Sequence, residues 1–315
     1  MRTIFIVNPK AGQGKNVDKL IDKIQETSKT MGAPAEVYVT QGVKDAEKFA
    51  TNIGIETGET KETVRLIACG GDGTLNEVLN GSIGFPNIAV GVLPIGTGND
   101  FCKNFYEPEK FMDIEAQLRG TVVKSDAIRY HGIIDGTEQT RYCANMFNIG
   151  FDCNVVDMAA RMKTYPLISG SFAYLCSIIA VLFKKKGANL KVEIDGEVCH
   201  DGPLLLTAVA NGSFCGGGIK SAPYASVQDG IMDINIIYNV SRIAFLKKLP
   251  AYSKGTHMEL SDIDDILLFK QAKKVVITPK DGIMRLCTDG EISDAEQIDF
   301  EVVPEAFDML VPGVR

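Results

Sequence analysis

The chain has no CxxC pair, no GxxxxGK[ST] phosphate loop, no excess of basic residues and only three histidines in 315 residues. Each absence closes a class of function. Eight cysteines stand apart at positions 69, 102, 143, 153, 176, 199, 215 and 287, and no histidine is placed to complete a zinc site with them. They are expected to be reduced thiols of a cytoplasmic protein. A net charge of −7 offers no bulk attraction to nucleic acid or to an anionic membrane surface, since both favour basic partners. No nucleic-acid partner is expected, and any membrane contact has to be local. Neither an internal repeat nor a low-complexity tract is present.

Long apolar runs are also scarce. The first, Thr3 to Val7, is too short for a signal peptide and runs into a turn. Leu167 to Phe183 is uncharged and is followed at once by Lys184, Lys185 and Lys186. A membrane span needs about 20 apolar residues, and this stretch is shorter and contains Ser169, Gly170, Ser171 and Ser177. It is expected to form a largely buried helix, with no transmembrane segment in the chain. The sharper alternative is a border of an acyl-chain site, with the lysines against lipid headgroups.

With 45% hydrophobic and 23% charged residues, the chain can bury two ordinary cores. Its first third alternates β-rich runs with helical patterns, the mark of a parallel sheet covered by helices. Strands are predicted at Thr3–Asn8, Glu36–Thr40, Val64–Ala68 and Ile88–Leu93. Helices are predicted where Val17, Leu20, Ile21 and Ile24, and then Ala46, Phe49, Ala50 and Ile53, share a face, and from Leu75 onward. From about Lys124 the texture changes to strand pairs with Asp-Gly turns, at Tyr142–Ile149, Leu190–Ile194, Leu204–Ala210 and Met232–Tyr238. Helical patterns interrupt them at Val155–Met162, Phe172–Phe183 and Ile243–Leu249.

Gly70-Gly71-Asp72-Gly73-Thr74 follows a predicted strand and opens a helix. Glycines let backbone N–H groups approach a phosphate, and the helix adds its positive end. An ordinary strand-to-helix turn has the same composition. Asp72 sharpens the case, because a carboxylate among phosphate-binding amides would repel the anion unless it holds Mg²⁺ or accepts a proton. Gly96-Thr97-Gly98-Asn99-Asp100 is a similar turn, with a helix start capped by Asn99 as its plain alternative. Asn8-Pro9-Lys10-Ala11-Gly12 leaves the first strand, so three turns can meet beyond the carboxyl ends of one sheet. Late in the chain, Asp289-Gly290-Glu291 offers two carboxylates as a general base, although Asp-Gly is also the commonest hairpin signal.

Taken together and in this order, Asn8-Pro9-Lys10-Ala11-Gly12, Gly70-Gly71-Asp72-Gly73-Thr74-Leu75-Asn76-Glu77, Gly96-Thr97-Gly98-Asn99-Asp100-Phe101 and Asp289-Gly290-Glu291 resemble the bacterial diacylglycerol kinase-like lipid kinases. Sphingosine and ceramide kinases share their catalytic domain. The resemblance covers nearly the whole chain, including Gly170-Ser171-Phe172-Ala173-Tyr174. It implies an α/β nucleotide domain resembling phosphofructokinase over residues 1–125, completed by 300–315 with Val302 to Val311 packed there. A β-rich, sandwich-like lipid domain over 126–299 would follow, with the nucleotide cleft between the two.

By the same resemblance Asn8, Pro9, Lys10, Ala11, Gly12, Thr40, Gly71, Asp72, Gly73, Thr74, Leu75, Asn76, Glu77 and Thr97 would surround ATP. Glu291 or Asp289 would take the proton of the lipid hydroxyl, with Asp72 a third candidate or the organiser of catalytic Mg²⁺. A structural Mg²⁺ would sit on Asp229 and the carbonyls of Ser226 and Ile231. The acceptor tail would lie between the domains, with Phe147, Phe151 and Phe172 as wall candidates against plain core packing. Diacylglycerol, converted to phosphatidic acid, is the first substrate the family suggests. The enzyme would be cytoplasmic or peripheral at the inner membrane face, and a homodimer would suit the relatives. NAD kinases and phosphofructokinases also carry a Gly-Gly-Asp-Gly turn, so a soluble acceptor is the first alternative. A non-catalytic lipid- or nucleotide-binding protein is the second.

Overall fold

The computed structural model describes residues 1–14, 16–162, 170–182 and 187–313. They fall into two units, Met1–Ser125 with Glu305–Arg315, and Asp126–Pro304. The first unit is a parallel sheet with helical crossovers. Its elements are β1 (Arg2–Val7), α1 (Val17–Thr30), β2 (Glu36–Val39), α2 (Asp45–Thr60), β3 (Val64–Gly70), α3 (Asp72–Ser82), β4 (Ile88–Pro94) and the short α4 (Ile114–Leu118). Strand order is β2-β1-β3-β4, every pair parallel. At the chain's end Asp308 and Met309 add beside Ala89 and Val90 of β4 in the same direction.

β3 and β4 are buried almost throughout rather than on alternate residues, as strands covered on both faces must be. Phe5, Val7, Ile67, Cys69 and Leu93 from the sheet pack with Ile24 of α1, Leu118 of α4 and Leu310. Each large side chain so buried contributes roughly 1.5–3 kcal/mol. All the strands run one way, so their carboxyl ends, and the turns that follow, lie along one edge.

The second unit is built from β5 (Thr121–Ile134, from Asp126 onward), β6 (Thr137–Cys143), β7 (Met146–Gly150), α5 (Phe151–Met162), α6 (Gly170–Leu182), β8 (Ala188–Ile194), β9 (Glu197–Leu204), β10 (Leu206–Ala210), β11 (Met232–Ile237), α7 (Arg242–Lys254), β12 (Leu267–Ala272), β13 (Lys274–Pro279), β14 (Met284–Thr288) and β15 (Glu291–Val311, up to Pro304). One antiparallel layer runs β12-β11-β10-β7-β14-β15, and β15 continues into a second layer through β13, β8 and β9. Phe147, Ile149, Ile234, Ile236 and Leu286 meet Leu190, Val192, Ile277 and Phe300 between the layers. Phe147 stands edge-to-face with Tyr130 and with Phe300, ring centroids 4.8 Å apart in each case. The fold is therefore an open parallel α/β unit plus a β-sandwich-like unit. On the outer face of β7, β10 and β11, helices α5, α6 and α7 form a separate apolar cluster around Phe151, Leu206, Ile237 and Leu249.

Two predicted strands are each broken in the structure. Tyr142–Ile149 divides at Ala144 and Asn145, because the Asn145 carbonyl accepts the Asn211 and Gly212 amides at 2.8 and 2.9 Å while its side chain donates to the Phe214 carbonyl at 2.7 Å. Leu204–Ala210 divides at Leu205, whose amide donates to Ile237 and whose carbonyl accepts from Phe151. Most of the uncharged run Leu167 to Phe183 lies in α6, but residues 163–169 and 183–186 fall outside the described residues. Among the described residues no helix is long and apolar enough to cross a membrane.

Candidate active site

In the first unit the three turns that leave β1, β3 and β4 come together. Asn8, just past β1, donates from Nδ2 to Thr74 Oγ1 at 3.0 Å, while its own Oδ1 accepts the Lys10 amide at 3.0 Å and sets the Pro9-Lys10 turn. Gly12 has φ of +59°, and a Cβ there would lie 2.9 Å from the Ile95 carbonyl, so the first turn closes on the third only with glycine. Gly96 and Gly71 meet backbone to backbone: a Cβ on Gly96 would lie 2.4 Å from Gly71 Cα, and the Gly96 amide donates to the Gly70 carbonyl at 3.1 Å. Thr40 also stands here, its amide on the Val7 carbonyl at 2.9 Å.

Asp72 is the first residue of α3 and ties two of these turns. Its Oδ1 accepts the Asp100 amide at 2.9 Å and the Phe101 amide at 3.3 Å. Burial, and then the charge of Asp100, push its pKa up to about 6 against the pull of those amides and of Lys103. Lys103 Nζ in turn holds Asp100 Oδ1 at 2.6 Å and the Gly98 carbonyl at 2.9 Å. Asn99 does not cap a helix, which corrects one plain reading of that turn. With φ of +54° it folds the turn back, donating Nδ2 to the Pro94 and Gly96 carbonyls.

Not every residue of the motif points to a ligand. Glu77 accepts the Lys44 and Ala46 amides at 2.9 and 3.2 Å and so closes the start of α2. Leu75 is in the core, and Asn76 receives the Asn80 side-chain amide at its carbonyl and its Oδ1. Lys10 and Thr97 are exposed at the turns. Asp100 and Lys103 were missed as members of the site. Asp100 stood inside a quoted motif, but nothing in the sequence marks it as Asp72's neighbour.

In the second unit Asp289 occupies the left-handed corner of the β14–β15 hairpin, with φ of +47° followed by Gly290 at +90°. Its Oδ1 accepts the Met146 amide at 3.0 Å and its Oδ2 the Cys143 thiol at 3.2 Å. The carboxylate is thus fixed on β7. Glu291 is exposed at the start of β15. On the other loop, Asp229 Oδ1 accepts the Ile231 amide at 3.2 Å, and the pKa of Asp229 is raised by burial and then by Asp126. Asp126, which sequence reading missed, accepts the Gly230 amide at 2.7 Å and donates its own amide to the Val227 carbonyl at 2.7 Å. Ser226 is exposed on this loop.

Among the described residues no group of three or more His, Cys, Asp or Glu side chains is arranged to hold a metal. Magnesium seldom needs one, since it is usually held by one or two carboxylates, water and substrate phosphate. Asp100 adds to the cost of ionising Asp72, and Asp126 to that of Asp229, a cost a divalent cation would relieve. Both pairs fit Mg²⁺ on that ground.

Of the tail-wall candidates, Phe147 is spent in the sandwich core, and the Phe172 side chain lies outside the described residues. Phe151 lines an apolar cavity within the second unit, with about 670 Å³ of unfilled space, its open mouth included.

Glycine turns gathered at the carboxyl edge of a parallel sheet, with an acidic group held among their amides, are the parts of a phosphotransferase. Residues 2–130 match the diacylglycerol kinase catalytic domain, and residues 145–311 match the YegS C-terminal NAD kinase beta sandwich-like domain. The chain belongs to the diacylglycerol kinase-like lipid kinase family. A Staphylococcus aureus protein named "Putative lipid kinase SAS0691" is 26% identical over 299 residues, covering 94% of this chain and 92% of its own. The crystal structure titled as a diacylglycerol kinase from Bacillus anthracis has a TM-score of 0.68 at 20% identity, covering 98% of this chain and 96% of that one. At that identity the likeness speaks for the fold.

Proposed function

We propose that the chain transfers the γ-phosphoryl group of ATP to the hydroxyl of a lipid, with diacylglycerol, giving phosphatidic acid, as the first acceptor to try. The observation that carries this reading is the meeting of three turns around Asp72. Their amides, with the start of α3, suit the charge of a nucleotide's phosphates. Asn8 and Thr74 fix the first turn against the second, and Asp72 fixes the second against the third. Phosphoryl transfer asks mainly for such positioning. Mg²⁺, held by Asp72 with Asp100, would supply charge to offset that on the transferring oxygens.

The lipid oxygen forms the new bond to the γ-phosphorus, the bond to the ADP leaving oxygen breaks, and the hydroxyl proton passes to a carboxylate. Asp289, fixed by Met146 and Cys143, is the first candidate for that base, and the exposed Glu291 is the second. The Asp229–Asp126 pair would brace its loop with a second Mg²⁺.

The test is Asp289→Asn and Glu291→Gln beside the parent, read as kcat for lipid phosphorylation and as nucleotide affinity. One variant should lose at least about a hundredfold in kcat with ATP affinity kept. Full activity in both would remove this pair as the base.

A further inference from the structure

The cavity beside Phe151 is apolar over most of its wall, with Leu206, Ile237, Leu249 and Leu267 in the lining, yet Tyr252 and His257 also face it. His257 is 2% exposed, and among the described residues neither of its ring nitrogens has a hydrogen-bond partner. The Tyr252 hydroxyl is buried and, among the described residues, has no well-formed hydrogen bond. The two rings are neighbours, with centroids 4.8 Å apart. The Ser221 hydroxyl, the group that pulls the Tyr252 pKa down against burial, is itself engaged with Cys215 Sγ at 3.3 Å and Met146 Sδ at 3.6 Å. Burial holds His257 well below its usual pKa, at about 4, with the Ala251 carbonyl pulling the other way. At neutral pH the ring is therefore uncharged and carries one N–H. Buried hydrogen-bonding groups left unsatisfied are costly, and native proteins keep few of them without a ligand or water to fill the site.

Sheet register relates the cavity to Asp289. Leu206, on the cavity wall, lies opposite Gly150 of β7. Two residues along the same face come Asn148, Ala208 and Asn235 in one row, and among the described residues both asparagines have a buried Oδ1 without a partner, while Asn235 Nδ2 donates to the Ser221 carbonyl at 3.3 Å. Two residues further is Met146, whose amide holds Asp289. Four residues of strand cover roughly 13 Å. The cavity wall and the residue that holds Asp289 thus lie on one face of the same sheet.

We infer that the cavity takes the hydrocarbon tail of the acceptor and that Tyr252 and His257 donate hydrogen bonds to a carbonyl on that tail, so that acyl-linked lipids are chosen over alkyl-linked ones. The choice of a lipid rests on the transfer reading above. The carbonyl preference is new, and it belongs to the second unit alone.

The test is calorimetric binding, without nucleotide, of monodecanoylglycerol and of the matching decyl ether of glycerol, both below their micelle concentrations. The parent should bind the ester roughly tenfold more tightly, the worth of a buried hydrogen bond or two. In Tyr252→Phe/His257→Leu the ester should fall to the affinity of the ether, with the ether unchanged. Tyr252→Phe alone, which removes one oxygen, should give an intermediate ratio and serves should the double variant not fold. Equal affinities in the parent, discrimination that survives in the variants, or binding of neither compound would overturn the inference. Phosphate transfer is scored separately. Ester preference without transfer would leave the cavity assignment standing and remove the kinase reading, whereas transfer without ester preference would do the reverse.

Discussion

Asp72 ties two turns together, and the proposed chemistry places its charge at the same point. Its Oδ1 is committed to the amides of Asp100 and Phe101, and an asparagine oxygen can accept those same bonds. Asp72→Asn should therefore keep the turns and the melting temperature while lowering kcat by at least about a hundredfold, because the charge proposed to organise Mg²⁺ is gone. Unaltered kcat would assign Asp72 a purely structural part. His257 gives a prediction about pH. Its folded pKa of about 4 lies below the unfolded 6.5, so the unfolded chain binds the proton first and stability falls as pH drops through that window. The cost should be roughly 2–3 kcal/mol. Thermal melts of the parent should therefore lose more between neutral pH and about pH 4.5 than those of His257→Leu. Parallel curves would contradict the burial argument. Asp72 was legible in the sequence because a carboxylate among glycines is chemically odd. Asp126 and His257 were not, since their meaning comes from partners, or from the lack of them, far along the chain.

Glycine does the work of shape at the level of turns and strands. Gly96 abuts Gly71 so closely that a methyl group would collide with backbone, and backbone can yield only by moving the turn. Gly96→Ala should cost roughly 1–3 kcal/mol and weaken ATP binding more than tenfold. Gly58, exposed within α2 with nothing near its missing Cβ, is the control. Gly58→Ala should be neutral to stabilising by up to about 1 kcal/mol. Matching effects at the two positions, by melting and by nucleotide titration, would show that the close approach carries no function. Repeated alternation made the helices and strands of the first unit readable, with ends off by a residue or two, as at β3, which runs on to Gly70. The breaks at Asn145 and Leu205 were unreadable. Both are made by hydrogen bonds to distant segments that leave the local pattern of apolar residues intact.

For the whole molecule, a buried parallel sheet and an antiparallel sandwich leave different textures in sequence: near-continuous apolar strands in one, alternation with Asp-Gly turns in the other. That contrast made the fold class legible. The cavity, by contrast, is a product of α5, α6 and α7 over one face of β10 and β11, and no single segment announces it. On the proposed reading the acceptor is likewise chosen by the assembled pocket, and chain length alone discriminates weakly in such a space.

Parent and Asp72→Asn protein should therefore be incubated with γ-labelled ATP and Mg²⁺, once with a total lipid extract and once with NAD⁺. Label should enter an organic-soluble lipid product with the parent and drop at least about a hundredfold with the variant, and NAD⁺ should stay unlabelled. Label on NAD⁺ and on no lipid, or equal lipid labelling by both proteins, would contradict a lipid kinase organised around Asp72.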